Sequence, residues 1–396
     1  MSECIITRRT KTYSTIKFNG YGGIKKVNCT PLSVARSVFS STHIGEYALF
    51  GGGYGSSSTY KDTIDAYDTS LTKSTPTALS VARSGLSATH IGEYALFGGG
   101  RIAQAIFTTV DAYDTSLTRT TPTELSISRN YLASTHVGNY ALFGGGYGSI
   151  PSYKSTVDAY DTSLTRSTPT ELSVGRRLLA ATNVGDYALF GGGEGSSSYS
   201  STVDAYDTSL TRSTPTTLSV ARYRLSATHI GDYALFGGGY GSSPNYKDTV
   251  DAYDTSLTRS TPTALSVGRY YLSATHVGDY ALFGGGQDSS STYKDTVDSY
   301  DTSLTRSTPT ALSVERSELS ATHIGDYALF GGGSGSSYRS TVDAYNVISS
   351  LNLSMYPGNK YKLNDMTEEV EVTEFNNITV SAPVNGYIKS KNSIVT

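Results

Sequence analysis

Apolar and polar positions along the chain come in short bursts, and the same burst returns every 46 or 47 residues. In the unit opening at Arg222, residues 225–230 read as a strand of small side chains, and Gly231-Asp232 turns the chain. Residues 233–236, Tyr-Ala-Leu-Phe, are apolar on both faces, as expected of a strand buried between two layers. A glycine triplet and a polar loop, 240–245, lead to a third strand over 248–253. A fourth spans 257–265 and contains Pro262 and Arg259. Proline cannot donate to a ladder, so the fourth strand is expected at the outer edge, where charge and proline discourage edge-to-edge pairing.

The unit occurs seven times. Glycine triplets begin at Gly51, Gly98, Gly144, Gly191, Gly237, Gly284 and Gly331, and other landmarks keep the same phase. A Val/Ile-Asp-Ala/Ser-Tyr segment ends at Tyr67, Tyr113, Tyr160, Tyr206, Tyr253, Tyr300 and Tyr345. A Leu-Ser-Val/Ile-x-Arg segment ends at Arg36, Arg83, Arg129, Arg176, Arg222, Arg269 and Arg316. Seven four-stranded units of this length predict an all-β, seven-bladed β-propeller. The fourth-strand pattern is missing after Tyr345, while a similar piece, Asn28-Cys-Thr-Pro-Leu-Ser, stands before the first unit. An N-terminal strand is therefore expected to complete the seventh blade. The resulting division is an N-terminal arm (1–26), the propeller (27–345) and a small β-rich C-terminal appendage (346–396). In the appendage, residues 368–375 alternate and Asn385-Gly386 suits a tight hairpin turn.

Composition narrows the function classes. The 31 basic and 34 acidic side chains nearly cancel, so neither a dominant basic footprint for nucleic acid nor a polyacidic tail is present. No apolar run approaches the roughly 18 residues of a membrane span, and the start lacks the apolar stretch of a secretory peptide. Cys4 and Cys29 cannot make a disulfide framework or a four-cysteine zinc site. Neither nucleic-acid binding nor membrane insertion is expected.

Three features together resemble the kelch repeat: a glycine doublet after an apolar strand, a Val-x-x-Tyr-Asp strand, and an arginine opening the next unit. The resemblance covers about residues 27–345. It departs from the kelch pattern six residues beyond the tyrosine, where kelch units usually place Trp and this chain has Lys73, Arg119, Arg166, Arg212, Arg259 and Arg306. Units reading YALFGGG and VDAYDTSLTRSTPT resemble kelch-like repeat proteins of gut Firmicutes and their phages. The resemblance implies a propeller that binds ligands on the face formed by the loops joining second to third strands and successive units.

Candidate chemistry is sparse outside the repeat. All six histidines occupy one repeat position, His43, His90, His136, His229, His276 and His323, with Asn183 in the remaining unit. A ring repeat is expected to disperse them around the axis in a structural role, leaving no metal site. The glycine triplets lack a following Gly-Lys-Ser/Thr and read as close packing or a bend, not a phosphate cradle. The repeated Asp and Arg, such as Asp251 and Arg222, read as a polar network supporting the blades. A copper-oxidase site would need a cysteine cross-linked to a tyrosine and non-repeated histidines, whereas both cysteines lie in the arm region and no histidine is unique; sialidase boxes need Trp, which the chain lacks. The expectation is a non-enzyme with no catalytic residues and no cofactor.

Specificity is expected where the seven copies differ. The two residues after each repeat arginine vary, as does the residue after each triplet. Alternating strand directions place both sets on one rim. The candidate ligand-binding residues are Tyr54, Arg101, Asn130, Tyr131, Tyr147, Arg177, Tyr223, Arg224, Tyr240, Tyr270, Tyr271 and Glu318. Tyrosine offers contact area with a hydroxyl at low entropy cost, and arginine offers forked donors. The reading is a recognition propeller on a phage virion or tail that binds a host-surface glycan or protein, with arm and appendage attaching to other virion subunits. The alternative is an assembly protein docking onto virion or cellular subunits, and a cytoplasmic location is the alternative to the virion.

Overall fold

The computed structural model describes residues 23–347 in full. Outside them it describes the strands Cys4–Arg8, Lys11–Ile16, Ser350–Leu353, Lys360–Tyr361, Val370–Glu371 and Ile378–Ser381. The chain divides into two units, Lys26–Tyr345 and a second comprising Met1–Lys25 and Asn346–Thr396. In the second, Cys4–Arg8 pairs with Lys11–Ile16, Ser350–Leu353 with Ile378–Ser381, and Lys360–Tyr361 with Val370–Glu371, all antiparallel. The Asn385-Gly386 turn and the rest of the 368–375 alternation lie outside the described residues.

Lys26–Tyr345 is a seven-bladed propeller. The first blade is representative. Its inner strand Ser40–Ile44 pairs antiparallel with Tyr47–Gly51, which pairs with Ile64–Asp68, which pairs with the two-residue outer strand Lys73–Ser74. Corresponding four-stranded sheets recur in blades two to six. The inner strands of successive blades touch, and that of the seventh, Ser320–Ile324, touches that of the first, so the ring is closed.

The seventh blade takes its outer strand from the N-terminal side of the ring. Its hydrogen-bonded order is Ile24–Asn28, Val342–Val347, Tyr327–Gly331, Ser320–Ile324. The strand begins four residues ahead of the Asn28 piece that the sequence points to. Lys26 reaches to 3.7 Å from Asp343, as Lys73 does to 3.9 Å from Asp65 in the first blade. Val27 and Cys29 pack on the cluster of Leu329, Val342, Phe39 and Phe50, which joins the seventh blade to the first.

The fourth strand forms the outer edge of blades one to six, as expected, but it is shorter than the sequence suggested. Where a strand over 257–265 was expected, only Arg259–Ser260 is a strand, and Pro262 lies beyond it. The basic residues turn back toward the blade instead of guarding its edge: Arg166, Arg212, Arg259 and Arg306 stand 2.9–3.4 Å from the aspartate of the third strand. That aspartate also takes a fully buried arginine. Arg222 Nη2 donates to Asp251 Oδ2 at 2.7 Å and to the Phe236 carbonyl at 3.0 Å, and Asp251 Oδ1 accepts the Ser219 N–H. The same Arg–Asp pair occurs in all seven blades at 2.5–2.8 Å. Burial lowers the pKa of Arg222, and Asp251 opposes that shift.

Apolar packing runs between blades. Val157, Ala159 and Leu142 of the third blade meet Ala188, Phe190 and Tyr206 of the fourth. The first glycine of each triplet makes room for the next blade's phenylalanine: a Cβ on Gly191 would sit 2.7 Å from the Phe236 ring. The third glycine, at φ +106° to +115°, bends the chain so that its N–H donates to the next blade's arginine carbonyl. Gly333 closes that series on Arg36 at 2.8 Å.

Two stability outcomes follow. Deleting residues 1–28 removes the outer strand of the seventh blade and should lower the melting temperature by about 5 °C or more, since about 1 kcal/mol already moves a large domain by 2–4 °C; an unchanged melt would show that the strand does not hold the ring. Arg222→Leu leaves Asp251 buried without its closest cation and should cost about 3–5 kcal/mol in denaturant unfolding, whereas a loss under about 1 kcal/mol would reduce the pair to a bystander.

Candidate functional site

Each repeat arginine is held below the loop face, so the two residues that follow emerge there in a fixed conformation. The second of them has positive φ in every blade: Val38, Gly85, Tyr131, Leu178, Arg224, Tyr271 and Glu318, all between +52° and +64°. Each donates its N–H to the carbonyl of the same residue in the preceding blade, from Gly85→Val38 at 3.0 Å round to Val38→Glu318 at 3.3 Å. Seven backbone hydrogen bonds thus form a closed loop around the axis, independent of side-chain type.

Those seven residues line an axial pocket of about 190 Å³, whose remaining lining is Phe39, Leu86, Leu132, Leu179, Leu225, Leu272 and Leu319. These last seven are buried and supply an apolar lining. The other ring is asymmetric: small on the first two blades, aromatic at Tyr131 and Tyr271, and charged at Arg224 and Glu318. Burial raises the Glu318 pKa, with the Ser37 hydroxyl, which donates at 3.1 Å, and the Arg224 charge pulling the other way. Arg224 lies 4.1 Å over the Tyr271 ring, 5.0 Å from Tyr223 and 5.7 Å from Tyr270. Its Nε is buried with no hydrogen-bond partner.

Outward from the pocket, each blade carries a radial row built by backbone bridges. The residue after the arginine pairs with the residue after the triplet, as in Ser37 with Tyr54, Asn130 with Tyr147, Arg177 with Glu194 and Tyr223 with Tyr240. In every blade that residue bridges onward, to Tyr60, Ile106, Tyr153, Tyr199, Tyr246, Tyr293 and Tyr338 in turn. Both variable sets expected from the sequence therefore share one face. The outermost residues were missed, although a tyrosine recurs four to six positions after the variable one in six of the seven units.

The side chains are most concentrated over the fifth and sixth blades. Tyr199 stacks on Tyr223 at 5.0 Å, Tyr223 meets Tyr240 at 5.7 Å, and Tyr240 meets both Tyr246 and Tyr270. Tyr270 contacts Tyr271 at 4.7 Å, so the chain of rings reaches the pocket. A smaller group sits on the third and fourth blades, where Arg177 lies 4.7 Å over Tyr147 and pairs with Glu194 at 2.9 Å. Arg101 is exposed and lies 5.4 Å over Tyr131, while Tyr54 meets Tyr60 and Tyr338. Asn130 differs from the other candidates: it is buried, with its Oδ1 unpaired. Buried Lys247 donates to the Ser242 carbonyl and Lys154 to that of Ser149, pinning the loops that carry Tyr240 and Tyr147.

The histidines require a correction. They are not dispersed: neighbouring rings lie 4.0–4.2 Å apart, from His136 through His90, His43, His323 and His276 to His229. The inner strands are the closest elements to the axis, so one repeat position on them converges instead of spreading. Asn183 occupies the seventh place. Among the described residues, no group of three or more His, Cys, Asp or Glu side chains is arranged to hold a metal ion. Burial, then repulsion between imidazoles, lowers His43 and His229 to about 4 and His276 to about 3.

Comparison with known proteins supports the fold alone. No family model and no curated protein matches the chain. Among solved structures, the one titled "Structure of YjhT" is similar, with a TM-score of 0.57 and 14% identity over 71% of this chain and 99% of that one. Among the described residues, no helix is long and apolar enough to cross a membrane.

The histidine ring sets a pH dependence. A pKa lowered on folding means that the unfolded chain binds more protons below pH 6.5, so stability is full near pH 7 and falls toward pH 4. Each ring histidine that stays neutral should cost about 2 kcal/mol at pH 5. Melting followed from pH 7.5 to 4.5 should show the decline, and replacing His90 and His323, two of the six histidines, with Asn should make it about one third shallower. A wild-type melt that is flat down to pH 5 would mean the imidazoles protonate freely in the fold.

Proposed function

We propose that this chain is a non-catalytic recognition module that binds a host-surface glycan or protein through its loop face, as part of a phage virion or tail. The observation that carries this reading is the contrast at the axis: one sevenfold backbone ring bearing six side chains of mixed kind and a glycine, with Tyr131, Arg224, Tyr271 and Glu318 lining one pocket. Scaffold positions repeat almost unchanged from unit to unit, while diversity gathers where a ligand could touch it. A propeller suits such a role because it presents many loops on one rigid face. In this reading the site holds its ligand without transforming it, and residues 1–26 and 346–396 attach the propeller to other virion subunits. The likeness of the repeat units to kelch-like proteins of gut Firmicutes and their phages supports the virion setting.

The test is binding of purified protein to host cells, alongside a variant with Tyr131, Tyr223, Arg224, Tyr270 and Tyr271 changed to Ser. The rings pack on one another, so the variant's melt is recorded with its binding. Saturable binding by the native protein, weakened about 100-fold or more in a folded variant, is the expected result, since a few aromatic and arginine anchors dominate such sites. Absence of binding by either protein would favour an assembly role through the arm and tail.

A further inference from the structure

We propose that the axial pocket recognises the free, non-reducing end of a carbohydrate chain, with the terminal sugar in the pocket and the following units laid outward over the tyrosines of the fifth and sixth blades. This rests on the recognition reading above and adds to it the ligand class and the direction in which the ligand lies.

The first argument is topological. The residues joined by the loop of seven backbone hydrogen bonds all line the pocket, and that loop has no lateral gap. The interior of a polymer needs a way in and a way out, whereas an end needs only the mouth. On a cell surface the reducing ends of glycans are tied to lipid or protein, so the free end is the non-reducing one.

The second argument is size and chemistry. At about 190 Å³ the cavity falls below the ~300–1,000 Å³ of sites for drug-sized ligands, which suits one ring-sized unit. A sugar has an apolar C–H face and a hydroxyl edge. The pocket matches both, with buried leucines, the rings of Tyr131 and Tyr271, and the polar groups of Arg224 and Glu318.

The third argument is direction. Next to the pocket, the seventh, first and second blades present buried Ser317, Ser37 and Ser84. The fifth and sixth present Tyr223 and Tyr270, continued by Tyr240 and Tyr246 in mutual contact. Rings already packed on one another lose little freedom when a sugar stacks on them. A face of tyrosines and arginines is also one that a protein partner can use, so the protease and periodate treatments below decide between the two.

The test uses cells that bind the protein. They are treated separately with protease and with periodate, which destroys sugars, and the polysaccharide released from untreated cells is cut into oligosaccharides. These fragments are immobilised either through their reducing ends or through both ends. Binding should survive protease, be lost to periodate, and appear on fragments with a free end but not on those tethered twice. Val38→Trp, which fills the pocket, should abolish binding at an unchanged melting temperature. Tyr240→Ser with Tyr246→Ser should erase at least about tenfold of the gain from one sugar unit to three while sparing the single unit. Protease-sensitive binding, equal binding to doubly tethered fragments, or full binding by folded Val38→Trp would each overturn the proposal and leave the recognition reading standing. Failure to bind any host cell would instead remove the recognition reading, and this inference with it.

Discussion

Every blade opens on an arginine that water does not reach. Its guanidinium meets the aspartate of the third strand and the phenylalanine carbonyl of the second. A charge taken out of water at that point is tolerable only if its partners are fixed, because the penalty for a misplaced buried ion is several kcal/mol. The pair therefore fixes where the chain enters the blade. Everything on the loop face is measured from it: the next residue bridges to the loop after the glycine triplet, and the one after that joins the axial ring. The arginine carbonyl meanwhile accepts the N–H of the preceding blade's third glycine, so one residue ties strand, loop and neighbouring blade together.

The scaffold contributes energy in places that the variable side chains do not occupy. Inter-blade packing uses Phe, Leu, Ala and Tyr from repeated positions, and the axial ring is held by backbone groups. Exchanging a ring side chain at φ near +55° leaves its hydrogen bond intact. The residues there range from Gly85 to Arg224 and Tyr271 without disturbing the register. Such a surface can diversify without loss of the fold, which is the property a recognition module needs.

The repeat made the blade count, the strand order and the closing N-terminal segment legible in the sequence, because period and phase survive any uncertainty about strand ends. The Arg–Asp network was legible for the same reason. Other features were hidden by their physical origin. The backbone ring leaves no residue signature, since its members share a conformation and not a side chain. The role of Lys73, Arg119 and their counterparts depends on which way a long side chain folds, and a two-residue outer strand is too short to show that. The histidines were misjudged because a repeat position is spread along the sequence, whereas on an inner strand all seven copies converge on one axis. Of the candidate site residues, Asn130 is buried, and the outer tyrosines from Tyr60 to Tyr338 carry no signal in a comparison of the units because they barely vary from one unit to the next.

Comparing repeats finds the positions that differ, but a binding face combines differing and repeated residues. The contact of Tyr246 with Tyr240 and Tyr270 joins a repeated ring to two variable ones. What distinguishes the fifth and sixth blades is the continuity of rings from the rim to the pocket, which ends at Tyr271 beside Arg224. Elsewhere around the ring that continuity is broken by a serine, an isoleucine, an asparagine or a glutamate. A sevenfold scaffold acquires a direction in this way: the repeated tyrosines are available on almost every blade, and the variable residues decide where they connect.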